Sequence, residues 1–262
     1  MKKINVLLCL ACSAFLLASC SPSENPDQSS SLEIQTDWTN DDKATFEEVL
    51  GEGNLIPFYQ ELVSLNYEAP YVESSCNYVI VQADSVNKEE KFNAYADICL
   101  EDGFIETDKT NDSFQYYKFF EKVLLTDETK ETTQYIQYYD DDLYLVIESY
   151  VITTYYSDTF PTNPSIQTLL DSEADVPAIE GISDVEYYQY TSDYCYHVNL
   201  KGNVETFSYD QVLIDAGYEV DTFLTTAYTT CYYKVVSEYE AHEIYVPKVV
   251  TNEVEIIYTV AY

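Results

Sequence analysis

Two histidines, His197 and His242, are the only imidazoles in 262 residues, and they bound the acid–base chemistry open to this chain. His197 falls inside a strand-like run, and His242 follows Glu240-Ala241 between two such runs. A metal centre asks for several His or Cys ligands at short spacing. A nucleophile–histidine pair asks for a serine or cysteine held beside the ring. The sequence has no Gly-x-Ser-x-Gly turn, no His-Glu-x-x-His helix and no glycine-rich phosphate loop, and six glycines leave little room for one. No catalytic residue, metal ligand or cofactor-binding residue is therefore expected, and both histidines read as strand residues, satisfied or exposed. Carboxylates are the other source of chemistry, since a glycosidase needs two acids facing each other across a cleft. With 47 of them, abundance marks no privileged pair. Asp140-Asp141-Asp142 lacks the alternating spacing and distal glutamate of a calcium loop. It reads as a solvated turn whose acids discourage edge pairing.

The elements that would hold these residues come next. Thr39 and Asn40 are good N-cap residues, and Phe46, Val49 and Leu50 at helical spacing predict a helix over 41–50, stopped by Gly51. Asn77 to Ala83 reads as a strand from its β-branched and aromatic content. Phe92, Tyr95, Ile98 and Cys99 share one stripe of a helix over 85–102, which Gly103 ends. Strands are expected over 114–120, 132–139 and 143–153. The same order then recurs. A short helix spans 163–170, and Tyr196 to Leu200 stands where Asn77 to Val81 stood, with Cys195 preceding it as Cys76 precedes the first. Tyr209 to Tyr218 repeats the pattern of Tyr95 to Phe104, Tyr232-Tyr233-Lys234 answers Tyr116-Tyr117-Lys118, and Val254 to Val260 answers Leu145 to Val151. Ordered landmarks of this kind argue for a duplication. The expected fold class is α+β: two tandem repeats, 38–153 and 163–262, joined by a linker over 154–162. Each is a mostly antiparallel sheet with one main packed helix and a short leading helix.

Charge and tyrosine set the surface. Not one of the 12 basic residues is arginine, and the formal net charge is −35. Nucleic-acid binding depends on cations that neutralise phosphates, so nucleic acid is excluded as a partner, and phosphorylated substrates are disfavoured by the same field. Such acidity either attracts cations or a basic partner, or simply keeps an exported domain dispersed in water. The 28 tyrosines suit half-buried pleated surfaces, and runs such as Tyr187-Tyr188-Gln189-Tyr190 send rings to both faces of a strand. They read either as an aromatic face for an extracellular protein or glycan ligand, or as a sheet whose outer side is dressed in tyrosine.

Placement in the cell is carried by the N-terminus. Lys2 and Lys3 precede an apolar run from Val6 to Leu17 that ends at Leu17-Ala18-Ser19-Cys20. A basic start, a short apolar middle and small residues before a cut describe a secretory signal peptide over 1–19. Leu-Ala-Ser-Cys resembles the lipobox of bacterial lipoproteins. That resemblance implies cleavage before Cys20, lipidation of Cys20, a membrane anchor through that lipid, and an extracytoplasmic location on the cell surface or periplasmic face. Residues 20–37, rich in Ser, Pro, Asn and Asp, then read as a lipidated flexible tether. The Tyr-x-x-x-φ-φ-x-x-Gly-aromatic segment, with φ apolar, resembles one in small α+β repeats of uncharacterised lipoproteins from low-GC bacteria, a likeness that implies architecture and no chemistry.

Outside the cytoplasm, Cys76, Cys99, Cys195 and Cys231 are an even set able to oxidise. No pair has the Cys-x-x-Cys spacing of a zinc or redox site. Cys195 and Cys231 each start a strand and would bridge if those strands were parallel neighbours. Cys76 and Cys99 would join a strand to a helix, each bridge contributing roughly 2–4 kcal/mol. Buried thiols are the alternative. The function expected is a membrane-anchored, non-catalytic binding or interaction module. The alternatives are an extracellular carboxylate-dependent hydrolase of glycan or peptide, and a structural or assembly-accessory envelope lipoprotein.

Overall fold

Thr39 opens helix α1 (Asn40–Leu50) with a capping box: its hydroxyl accepts from Asp42 N at 3.1 Å, and Asp42 Oδ2 accepts from Thr39 N at 3.0 Å. Just before it, Trp38 is buried, with its indole Nε1 donating to Ile56 O at 2.6 Å and its ring edge-on to Phe46 and Phe58. The computed structural model describes residues 35–61, 68–73, 78–84, 87–107, 116–141, 143–172, 175–192 and 195–261. The signal segment, Cys20, the tether up to residue 34 and Cys76 lie outside the described residues.

After α1 come β1 (Glu68–Glu73), β2 (Tyr78–Asp84), helix α2 (Lys88–Glu101), β3 (Ile105–Thr107), β4 (Tyr117–Thr126), β5 (Lys130–Asp140) and β6 (Tyr144–Ser157). A short helix α3 (Ile166–Leu169) leads to β7 (Ile182–Ser192), β8 (Cys195–Val204), helix α4 (Asp210–Asp215), β9 (Glu219–Asp221), β10 (Thr229–Val235), β11 (Ala241–Pro247) and β12 (Glu253–Ala261). All pairings are antiparallel, in the order β3-β4-β5-β6-β7-β8-β12-β11-β10-β9, with β1 and β2 attached through β2 to β6. The chain is thus α+β with a mostly antiparallel sheet.

β6 divides one of its edges. Residues Tyr144 to Ser149 pair with β2, and Thr154 to Ser157 pair with β7. The segment read from sequence as a linker therefore begins as strand: Tyr155 lies opposite Tyr187 and stacks on it at 5.4 Å. The adjacent Tyr155 and Tyr156 send one ring to each face of the pleat, and the polar content that suggested a junction belongs to the turn that follows. Gln35–Tyr262 forms one compact unit.

Residues of one parity on each strand meet the helices. Val79, Val81, Ile136, Tyr138, Leu145 and Ile147 pack with Phe46, Leu50, Phe92, Tyr95 and Cys99 of α1 and α2. Val198, Leu200, Ile244, Ile256, Tyr258 and Val260 pack with Ile166 and Leu213 of α3 and α4. Each large side chain withdrawn from water here contributes about 1.5–3 kcal/mol. All four described helices sit on this face, and side chains of the opposite parity form the other, open face.

The helix ends are built alike. Gly103 and Gly217 take φ of +91° and +86°, which lets Phe104 N reach Cys99 O and Tyr218 N reach Leu213 O, each at 3.0 Å. A lysine from the neighbouring strand then caps each helix. Lys122 Nζ donates to Asp102 O at 2.7 Å and lies 5.2 Å over the Phe104 ring. Lys234 Nζ donates to Ala216 O at 2.9 Å and lies 5.4 Å over the Tyr218 ring. A cation at the carbonyl end of a helix complements its dipole. Tyr232 and Tyr233 lie opposite Val220 and Glu219 of β9, as Phe120 and Glu121 lie opposite Glu106 and Ile105 of β3.

Candidate functional site on the open face of the sheet

The residue types of a hydrolytic triad do meet in this molecule, on the helix side. His242 lies within β11, opposite Lys234 and Val260, and is 1% exposed. Ser172, on the segment after α3, brings Oγ to 2.5 Å from His242 Nε2 and donates to Glu240 Oε1 at 2.6 Å. Glu240 Oε1 is 3.0 Å from the same Nε2, and Tyr218 OH is 3.1 Å from Nδ1. Burial lowers the imidazole pKa, opposed by the Glu240 hydrogen bond and reinforced by Lys234, so the ring is neutral at pH 7. The bonding assigns the tautomer: Nε2–H faces Glu240, and Nδ1 accepts from the Tyr218 phenol. A protonated Nε2 cannot take the serine proton, and acid and serine share one ring nitrogen instead of flanking the ring. This network is a brace that ties the post-α3 segment to β11. Gln134 on β5 does a similar job, donating to Leu55 O at 3.1 Å beyond α1 and to Ser149 Oγ at 3.0 Å.

The cysteines do not meet as the sequence suggested. β8 and β10 are separated by β12 and β11, about 14 Å sideways at about 4.8 Å per strand, and Cys195 is level with Val235, so Cys231 lies further still along β10. A disulfide needs Cα atoms within about 7 Å, so the Cys195–Cys231 bridge does not form. Cys99 and Cys231 are buried thiols. Burial pushes Cys99 up to about 12, and burial with Glu243 and Asp221 pushes Cys231 up to about 11. Among the described residues no group of three His, Cys, Asp or Glu could hold a metal. The buried acids Asp42, Asp140 and Glu240 stand in three separate places. At the acidic turn, Asp141 Oδ1 accepts from Leu143 N and Tyr144 N at 3.0 and 2.7 Å, while Asp142 lies outside the described residues.

The open face carries the aromatic surface. On β4 to β6, Phe119 lies 5.6 Å from Tyr135, which stacks on Tyr150 at 5.3 Å, and Tyr117 stacks on Tyr139 at 6.5 Å. On β7 and β8, Tyr188 lies 6.0 Å from Tyr190, which stacks on His197 at 4.7 Å with the rings 12° from parallel. His197 Nδ1 is 2.9 Å from Thr259 Oγ1. Carboxylates stand among the rings. Tyr139 OH donates to Glu148, Tyr245 OH to Glu243 Oε2 at 2.6 Å, and Tyr233 OH to Glu219 at 3.2 Å. Burial raises the pKa values of Tyr117, Tyr135, Tyr139, Tyr188 and Tyr190, and a carboxylate adds to each: Glu148 for Tyr117 and Tyr139, Glu121 for Tyr135, Glu255 for Tyr188 and Tyr190. The phenols therefore remain protonated donors. Lys201 is the one lysine on this face among the described residues, and it is paired with Glu253 at 3.3 Å.

Within this face lies a hollow of about 320 Å³, floored by Ile257 and walled by Tyr190, His197, Glu243, Tyr245 and Thr259. A larger hollow of about 970 Å³ opens between the loops around Gly181, Glu205 and Asn252, with Glu180 and Glu205 on its rim and no aromatic ring. Loop residues and the ends of β7 and β8 line it, without the ring-and-acid pairs of the open face. The sequence offered the tyrosines as an aromatic face without locating it, because β7 was not among the expected strands. Its signal was present in the i, i+2 spacing of Tyr188 and Tyr190 beside the i, i+2 pair Cys195 and His197. Among the described residues no helix is long and apolar enough to cross a membrane. No protein-family model matches the chain, and no curated protein or solved structure matches it either.

Proposed function

We propose that this protein is a membrane-anchored extracytoplasmic lipoprotein, two tandem copies of one α+β unit, that works without catalysis as an interaction module. The observation that carries the interaction reading is the open sheet face, where half-buried tyrosine rings alternate with carboxylates around a shallow apolar hollow. Rigid rings with polar tips supply contact area at low entropic cost. Support for two copies comes from one element order, helix, hairpin, helix, short strand and three-strand meander, running over Asn40–Ser157 and again over Ile166–Ala261. Matching registers at β3/β4 and β9/β10 and the paired Lys122 and Lys234 caps add to it. Anchoring is supported by Leu17-Ala18-Ser19-Cys20.

Two measurements test the reading. Cells fed labelled palmitate should mark the wild-type chain and not Cys20→Ser; label retained by the variant would remove the anchor. Hydrogen exchange of the full chain with and without envelope extract should show protection gathered on open-face strands β5 to β8, β12 and β11. Protection confined to the helices would remove the assignment of the contact face.

A further inference from the structure

The electrostatics and the ring geometry of the open face together select a partner chemistry. Acids stand beside several of the rings: Tyr139 donates to Glu148, Tyr245 to Glu243 and Tyr233 to Glu219, and Glu121 lies opposite Tyr135. The only lysine on this face among the described residues, Lys201, is paired with Glu253. An anionic guest would meet uncompensated repulsion, and the whole chain at −35 strengthens it. A neutral sugar would stack on the rings and donate hydroxyls to the carboxylates, but it brings no charge to meet theirs. An ammonium or guanidinium group gains from both, through the ring quadrupole and through the adjacent charge.

We propose that the open face docks a basic polypeptide segment, with the hollow between Tyr190, His197, Glu243 and Tyr245 receiving a lysine or arginine side chain. Its volume of about 320 Å³ suits one long side chain, whose methylenes would lie on Ile257 while its charge reached the Glu243 rim. Glu243 is fixed there by the Tyr245 phenol. A polymer fits better than a single amine because the ring-and-acid pairing recurs on both sides of the β6–β7 seam. On one side Glu121 lies opposite Tyr135 and Glu148 accepts from Tyr139; on the other Asn199, opposite Tyr188, donates to Glu255 at 2.8 Å, so a segment crossing the sheet meets successive sites. This inference rests on the reading of the open face as the contact surface.

The test uses the full chain and a fluorescein-labelled peptide of alternating lysine and glycine, followed by fluorescence anisotropy. A glutamate–glycine peptide and a neutral β-linked oligosaccharide run beside it. The lysine peptide should bind and weaken about tenfold or more between 0.05 and 0.5 M salt, as screening shortens the reach of charge. Tyr190→Ala and Glu243→Gln should each weaken it by about five- to tenfold, the scale of one cation–π or partly desolvated charge contact. Glu89→Gln and Glu101→Gln remove the same charge from α2 on the opposite face and should leave binding within about twofold, which separates a local site from the general field. Far-ultraviolet circular dichroism checks that each variant is folded, and Glu243→Gln, at a half-exposed position, stands in if Tyr190→Ala is not.

Equal loss from the α2 and open-face substitutions would overturn the proposal, as would lysine-peptide binding unchanged in Glu243→Gln. Oligosaccharide binding that falls with Tyr190→Ala while the lysine peptide fails to bind would overturn the cationic partner and keep the open face. No probe responding to any open-face substitution would overturn both.

Discussion

Replacing His242 probes the buried brace. In His242→Leu the volume is roughly kept, but Glu240 loses the Nε2 donor and the Tyr218 phenol loses its acceptor, both in a site that is 1% exposed at the histidine. Glu240 keeps the Ser172 hydroxyl as a donor, so the Tyr218 phenol is the group left unpaired; a buried polar group stripped of its partner costs about 1–3 kcal/mol, which is the expected loss in unfolding free energy. His242→Gln supplies a neutral amide able to serve one of the two partners and should cost about half as much. The pH dependence separates this account from simple packing. Burial lowers the His242 pKa in the folded protein against Glu240, which opposes the shift, and with Lys234, which adds to it. The unfolded state therefore binds the proton first. Stability is intact above the unfolded value of about 6.5 and falls as pH drops below it toward the folded value. Other groups move too, since partial neutralisation of the acid surface relieves self-repulsion, so the informative quantity is wild type minus His242→Gln. Urea midpoints at pH 8.0 and at pH 5.5, read by far-ultraviolet circular dichroism, should show the wild-type advantage shrinking at the lower pH. An advantage independent of pH, or a His242→Leu cost below about 1 kcal/mol, would refute the buried neutral histidine as a brace.

Three further outcomes follow from contacts already described. Lys122→Met and Lys234→Met should each lower stability by about 1 kcal/mol, seen as a lower thermal midpoint, through loss of the helix-end carbonyl and the ring beneath it. Gly202→Ala would place a Cβ 2.8 Å from Ile182 Cγ1 and Cδ1 and 3.2 Å from Ser183 O, and the overpacking should cost about 1–3 kcal/mol in denaturant titration. Cys99 and Cys231, buried and raised to about 12 and about 11, should resist iodoacetamide in the native chain and react once it is unfolded, as mass spectrometry would record.

What the sequence made legible tracks local signals. Thr39 and Asn40 with the spacing of Phe46, Val49 and Leu50 announced α1, Gly103 announced the end of α2, and the β-branched runs of β2, β6 and β12 announced themselves by composition. The alternating tyrosines of β7 were visible as a pattern but had no place, because the partner that makes them a strand is the far end of β6. β1, opening at Glu68-Ala69-Pro70, has a strand's pairing without a strand's residues, and its hydrogen bonds to β2 override propensity. The Cys195–Cys231 expectation failed for a related reason. Both cysteines begin strands, but whether β8 and β10 are neighbours is decided by β12 returning from the chain's end to fill the gap. Nothing local could state that Ser172 reaches His242 across some 70 residues, nor that Ser and Glu would share one nitrogen.

The divided edge of β6 bears on what a protease could achieve. The exposed stretch around Asp158 and Thr159 is an inviting place to nick the backbone. Yet the residues on either side of a cut there remain laced together, Thr154 to Tyr188 through Ser157 to Val185. A clipped molecule would run as one particle on a sizing column and come apart into two fragments only in denaturant, so an intact native mass would be no proof of an intact chain.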